Sequence, residues 1–351
     1  MRMTKRFGIT IGGLAVAAAT LVGCAPTSGA TGDTSTEDAP SLIYITNDPI
    51  GINEFLQLGK DGTEAAAAAI GGTATTFESD SDEQSMRANV EAALDESPTA
   101  IILITFDFTA LAVEYATANP EQPFVLVDDC PTEDVPENLY CGVFTEHEGA
   151  YLLGVEAGML TETGKVGSVG ALDIPFIHRY TDSFALGAQS VDAAITDTQL
   201  FVGGDNPFAD PVGAKEAALA VQESGADQIF AVTAGGNGGI FEAATETGTY
   251  SYGVDVNQCA AAPGTVVDNV IKAVDVVIAN EVDKIVAGES GGTATAYGLA
   301  SGGLSLTSLT ADAADSGCLV MDYPEIITAV EEARDAIIAG DIVVPDPVTA
   351  G

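Results

Sequence analysis

The run Gly288-Glu289-Ser290-Gly291-Gly292 has the spacing G-x-S-x-G, the pattern of a serine held on a strained turn for acyl transfer. Such a serine needs a strand before it, a helix after it and a histidine base further along the chain. Here a helical pattern precedes it, and both histidines, His147 and His178, come earlier. The glycines therefore read as the stop of a helix. A second run, Thr233-Ala234-Gly235-Gly236-Asn237-Gly238-Gly239, follows a strand-like segment and opens a helix. It stands where a dinucleotide loop would, but Phe241 occupies the third glycine position of G-x-G-x-x-G, and no P-loop lysine is present. What remains is a set of amides and the Asn237 side chain, able to bond a ligand hydroxyl or an anion at a helix start. Cys130, Cys141, Cys259 and Cys318 form no C-x-x-C pair and neither histidine has a cysteine beside it, so no metal site is expected.

The positions that follow apolar strands are more coherent. Asn47-Asp48-Pro49-Ile50-Gly51-Ile52-Asn53-Glu54-Phe55 follows the first and Asp128-Asp129 the fourth. Asp205-Asn206-Pro207-Phe208 follows a later one, and Asp255-Val256-Asn257-Gln258 closes another. Aromatic rings with carboxylates between them suit a flat, hydroxylated, uncharged ligand.

These positions need a scaffold that brings strand ends together. Short β-branched apolar runs alternate with alanine-rich helical stretches. The spacing predicts strands at 41–46, 73–77, 100–105, 124–128 and 140–144, then at 166–171, 199–203, 228–233 and 250–255. Ala100-Ile101-Ile102-Leu103-Ile104 is apolar throughout, as in a parallel strand covered on both faces. Helices are expected at 82–95, at 211–223, after Pro324, and over a long stretch from 264 to 288, where Val266, Val267, Val270, Ile271, Val274, Val277, Ile278 and Val282 recur at helical spacing. Repeated β-α-β units give doubly wound parallel sheets, and the strands are too many for one. The fold class is therefore α/β with two doubly wound parallel-sheet lobes. The expected division is 41–160 plus 256–295 for lobe 1 and 161–255 plus 296–345 for lobe 2, with crossovers near 145–165, 255–262 and 290–320. Ligands of such sheets bind beyond the carboxyl ends of the strands.

Composition bounds the partners. Residues 1–23 carry Arg2, Lys5 and Arg6, an apolar run from Phe7 to Leu21 and no acid, the layout of a secretory signal. Leu21-Val22-Gly23-Cys24 resembles the bacterial lipobox, so Cys24 is expected to become a lipid-bearing, palmitoylated terminus on the outer face of the cell membrane. Residues 24–40 read as a polar tether. Of 11 Lys and Arg, eight remain after residue 23, against 52 Asp and Glu. That surface repels nucleic acid, whose phosphates need bases, and anionic lipid. In an oxidising compartment the four later cysteines suggest disulfides. Cys130–Cys141 brackets a short proline-containing loop between adjacent strands, and elimination leaves Cys259–Cys318.

Several blocks carry a family likeness: Glu148-Gly149-Ala150-Tyr151-Leu152-Leu153-Gly154-Val155-Glu156-Ala157-Gly158, Thr163-Gly164-Lys165-Val166-Gly167, Lys215-Glu216-Ala217-Ala218, Gly253-Val254-Asp255-Val256-Asn257-Gln258 and Val270-Ile271-Lys272-Ala273-Val274-Asp275. Across nearly the whole chain beyond the tether, the sequence resembles the basic membrane protein family of purine-nucleoside-receptor-like lipoproteins. The resemblance implies a fold like that of type I periplasmic binding proteins, capture of a purine nucleoside between the lobes, delivery to an ABC permease, and no cofactor or catalysis. It also implies that Phe55, Asp128, Phe208, Asp255 and Lys272 face the ligand. Asn257 stands where relatives carry a second Asp, Ile104-Thr105-Phe106 stands where they carry Val-Gly-Phe, and the Asn expected beside Phe55 is absent. A binding protein for riboflavin or a sugar, a nucleoside-processing enzyme and a surface sensor are the rival expectations.

Overall fold

The computed structural model describes residues 39–348. The signal segment, Cys24 and the tether up to residue 38 lie outside the described residues. The first sheet contains β1 (Ser41–Thr46), β2 (Thr73–Glu78), β3 (Ala100–Ile104), β4 (Phe124–Val127), β5 (Leu139–Phe144) and β11 (Ala294–Tyr297), in the order β11-β5-β4-β3-β1-β2. The second contains β6 (Lys165–Gly170), β7 (Thr196–Phe201), β8 (Gln228–Val232), β9 (Tyr250–Asp255), β10 (Val266–Lys272) and β12 (Leu304–Leu306), in the order β12-β10-β9-β8-β6-β7. All pairings are parallel except β10 with β12. The helices are α1 (Glu54–Ala69), α2 (Glu83–Asp95), α3 (Thr109–Ala118), α4 (Glu146–Leu160), α5 (Pro175–Val191), α6 (Pro211–Glu223), α7 (Asn237–Thr247), α8 (Val274–Ala287) and α9 (Pro324–Ala339).

Local chemistry explains the elements. Every residue of β3 is buried, because β1 and β4 flank it and both faces are covered. Burying each Ile or Leu there contributes about 1.5–3 kcal/mol. β2, at the edge, alternates exposed and half-buried positions with Thr and Glu outward. Asn53 caps α1 by accepting from the Phe55 and Leu56 amides, and Asp210 caps α6 just before Pro211, so each cap fixes where its helix leaves the strand-end loop. Gly154 of α4 and Gly187 of α5 let those helices touch backbone to backbone: a Cβ at Gly154 would lie 2.1 Å from the Phe184 carbonyl oxygen.

Three expectations are corrected. The stretch 264–288 is not one helix: Val266–Lys272 forms β10, and α8 begins at Val274. A strand buried on both faces can carry apolar residues at consecutive positions, and the pairs Val266, Val267 and Val270, Ile271, set apart by Asp268 and Asn269, fit a helical template as well as a strand. Gly288 does end α8, with φ +70°. The second crossover consequently falls at Ala273 and not at 255–262, since β9 and β10 share a sheet. The others fall at Thr145 and after Tyr297. Residues 146–160 pack on α5, α9, β10 and β12, so they and β10 lie with the second sheet and not with lobe 1. Cys130 joins Cys141 across 5.5 Å between Cα atoms, and Cys259 joins Cys318 across 4.9 Å.

Candidate ligand-binding cleft

The carboxyl ends of the two sheets face one another across a cavity of about 60 Å³, or about 560 Å³ of empty space when the part open to solvent is counted. The first lobe contributes Asn47, Asp48, Asn53, Phe55, Thr105, Phe106, Asp107 and Asp128. The second contributes Phe176, Ile177, Tyr180, Phe208, Val232, Ala234, Val254, Asp255 and Lys272. Seven of the eight residues expected to meet a ligand therefore line it. Asn237 does not. Its Oδ1 accepts from the Thr233 amide and hydroxyl, and its Nδ2 donates to Gln258 Oε1 at 3.0 Å, so its polar atoms are used inside the second lobe.

Most lining residues sit where a strand ends, and the backbone there is unusual. Thr105, Asp128, Ala234 and Asp255 have φ of +77°, +80°, +48° and +73°. A non-glycine residue in this region costs about 1–3 kcal/mol and persists where surrounding packing over-determines it. At these four positions the chain turns sharply out of β3, β4, β8 and β9 at the edge of the cavity.

Lys272, the last residue of β10, is 3% exposed. Its Nζ donates to Asp128 Oδ1 at 2.6 Å and lies 3.1 Å from Glu146 Oε1. The rings of Phe55, Phe144, Tyr180 and Phe176 surround it, with centroids 4.8, 4.9, 5.5 and 5.6 Å away. Burial alone would lower the ammonium's pKa, but Asp128, Tyr180, Glu146 and Asp255 reverse this and hold it well above the usual lysine value. Burial pushes the Asp255 carboxyl up to about 6, against the pull of Lys272. Burial and neighbouring Asp48 also raise Asp107. Asn47 Nδ2 donates to Asp48 at 2.9 Å and to Asp107 at 2.8 Å. The two carboxylates fix the amide's orientation, and its buried Oδ1 has no hydrogen-bond partner among the described residues. A donor on a ligand would satisfy it.

Phe106 stands between Phe176 and Phe208, with centroids 5.4 and 6.2 Å away. Gln258 Nε2 reaches from the second lobe to Glu54 Oε2, at the start of α1, at 2.7 Å, and with Lys272–Asp128 it bonds the lobes to each other. The sequence reading missed Phe176 and Tyr180. Their signal was available, because they lie four apart on the helix after Leu172-Asp173-Ile174, another strand-end loop. Ser290 of G-x-S-x-G is exposed beyond α8 and lines no part of the cavity.

Two α/β lobes that close strand-end loops over a buried polar and aromatic cavity have the architecture of a solute-binding protein. The family model of PnrA-like ABC transporter substrate-binding proteins, Bmp, matches residues 44–344, and the chain belongs to that family. It is 28% identical over 369 residues to the ABC transporter nucleoside-binding protein BmpA of Lactococcus lactis, covering 98% of this chain and 99% of that one. Basic membrane protein A of Borreliella burgdorferi is 28% identical over 198 residues, 56% of this chain and 58% of the relative. An ABC transporter solute-binding protein of Aeropyrum pernix shares the fold with a TM-score of 0.75 at 24% identity, over 87% of this chain and 94% of that one. Among the described residues, no helix is long and apolar enough to cross a membrane.

Proposed function

We propose that the protein captures a purine nucleoside outside the cytoplasm, held at the cell membrane by lipid on Cys24, and passes it to an ABC permease. The observation that carries this reading is the lining of the cavity: aromatic faces from both lobes, carboxylates at the ends of β4 and β9, and an unpartnered amide oxygen. The base enters between Phe55 and Phe208, with Phe106 backing Phe208. Each aromatic pair contributes about 0.5–1.5 kcal/mol beyond burial. Asp255 and Asp128 accept from ribose hydroxyls or base N–H groups, Asn47 Oδ1 accepts from a base donor, and Lys272 donates to a base or sugar oxygen. The name of the Lactococcus relative supports the nucleoside assignment. Asp48, Asp107, Asp128 and Asp255 against the single base Lys272 disfavour a phosphorylated ligand, whose charge would meet four carboxyl groups.

Calorimetry with adenosine, guanosine, inosine, cytidine, riboflavin and a hexose tests the reading. Purine nucleosides bind and the others do not; if no nucleoside binds the wild type at millimolar concentration, the assignment is wrong. Replacement of Cys24 by Ala releases the protein from membranes or leaves it unprocessed, as read by fractionation and intact mass; unchanged, fully processed attachment contradicts the anchor.

A further inference from the structure

Behind the cavity, a chain of charged side chains runs from the cleft to the carboxyl-terminal segment. Glu146, in contact with Lys272 on one oxygen, accepts from Arg179 Nη1 on the other at 3.2 Å. Arg179 in turn grips Asp346 with two bonds, 2.8 Å from Nε and 3.0 Å from Nη2. The Glu146 side chain is wholly buried, and those of Arg179 and Asp346 are 12% and 14% exposed. None of the three lines the cavity.

The placement of these residues matters. Asp128 follows β4 of the first sheet, Glu146 opens α4 just after the first crossover, and Lys272 ends β10 just before the second. Arg179 lies on α5 and Asp346 lies beyond α9. The chain of contacts therefore pins two crossovers side by side and ties them to the last described stretch of the polypeptide. A lysine ammonium is a compact charge on a flexible stem, whereas a guanidinium held at two atoms has a fixed direction. With Arg179 fixed by Asp346, Glu146 is shared between two cations. Without that grip Arg179 loses its fixed direction, its hold on Glu146 loosens, and Glu146 competes more strongly with Asp128 and any ligand oxygen for the three donors of Lys272.

We propose that Arg179 and Asp346 are positioning residues of the binding site: they hold Glu146, Glu146 holds Lys272, and the carboxyl-terminal segment thereby sets ligand affinity from behind the cavity. One arm of the test rests on the nucleoside reading and the other does not. In the full chain, Asp346→Asn weakens inosine binding about fivefold by calorimetry, roughly 1 kcal/mol, while Asp346→Glu, which keeps the charge, stays within about twofold. In ligand-free thermal melts, Asp346→Asn lowers the midpoint of the wild type but has less than half that effect in a Lys272→Met background, because coupled groups are not additive. Equal effects in both backgrounds, or unchanged inosine affinity in Asp346→Asn, overturn the proposal. If the wild type binds no inosine, the nucleoside assignment falls, and the melts alone decide whether Asp346 and Lys272 are coupled.

Discussion

Asp255 is buried at the end of β9, its backbone left-handed and its carboxyl raised to about 6 by loss of water, with Lys272 opposing. A raised folded-state value means that ionising Asp255 costs stability as pH rises from its ordinary value, about 4, through 6. Asp255→Asn should therefore raise the ligand-free melting midpoint at pH 7.5 by at least about 2 °C. The same change should weaken nucleoside binding at least tenfold, about 1.4 kcal/mol, since a charged acceptor is lost. Affinity of the wild type should fall as pH drops below 6 and Asp255 protonates; a flat profile from pH 7.5 to 5 in calorimetry would rule this out. Lys272→Met leaves Asp128 buried without its cation, a loss of about 3–5 kcal/mol in denaturant titration that shrinks at acid pH as Asp128, already raised by burial, takes up a proton. Ser290→Ala should change neither binding nor stability. At this scale the sequence exposed the strand-end residues Asn47, Phe55, Phe106, Asp128, Phe208, Asp255 and Lys272, because each follows or closes a recognisable strand or a family block. Asn237 stands in an equally suggestive loop. Only the packing shows that Thr233 and Gln258 consume its polar atoms.

Elements differ in how much of themselves the chain reveals. β3, α2 and α6 are bounded by polar loops or caps, with Asp82 and Asp210 accepting from the first-turn amides, and their limits follow from local chemistry. β10 and α8 follow one another through Ala273 with no glycine, proline or capping side chain between them, so nothing local separates them; β10 becomes a strand because β9 and β12 pair with it. The α4–α5 contact depends on two glycines. Gly154→Val would drive a side chain into the Phe184 carbonyl and should destabilise the fold by more than about 3 kcal/mol, or prevent folding, since the obstacle is backbone. Gly164→Ala, at a turn with open space and φ +69°, should cost only about 1 kcal/mol from backbone strain. Parallel denaturant titrations separate the two. The Cys130–Cys141 bond closes a short loop and should contribute about 2.5–3 kcal/mol on the chain-entropy model, while Cys259–Cys318 closes a longer one and should contribute about 4. Paired Cys→Ser variants give that order, or contradict it.

Across the whole molecule, the excess of 52 acids over eight bases beyond residue 23 sets a self-repulsion that favours expansion. Raising sodium chloride from about 0.1 to 1 M shortens the screening length from about 10 to 3 Å, so the melting midpoint should climb with salt. Acidification acts in the same direction. Asp197, Asp255 and Asp268 are each raised to about 6 by burial. Burial would lower His178, but Asp173 and Asp182 raise it. Each of these groups stabilises the fold at pH below its folded value and loses that contribution as pH rises through it. Between pH 5.5 and 8 His147, lowered by burial, opposes them. Burial would raise Asp346, but Arg179 holds it below the ordinary carboxylate range, so it opposes only in strong acid. The ligand-free midpoint should therefore be higher at pH 5.5 than at pH 8, and a monotonic rise with pH in scanning calorimetry would contradict this.

The alternation of apolar strands with alanine-rich helices is a local property of the chain, and so are the caps, the helix-stopping glycines and the acidity. They suffice to specify two parallel α/β lobes and to nominate strand-end residues, because periodicity and capping act within a few neighbours. The tertiary structure alone decides which sheet β10 joins and where the crossovers fall, because these follow from pairing between segments far apart in sequence. It also decides that Phe176 and Tyr180 enter the cavity, that Asn237 does not, and that Asp346 is bound into the charge chain behind Lys272. Charge pairing and burial there are set by atoms brought together from 128 to 346, and no window along the sequence contains them.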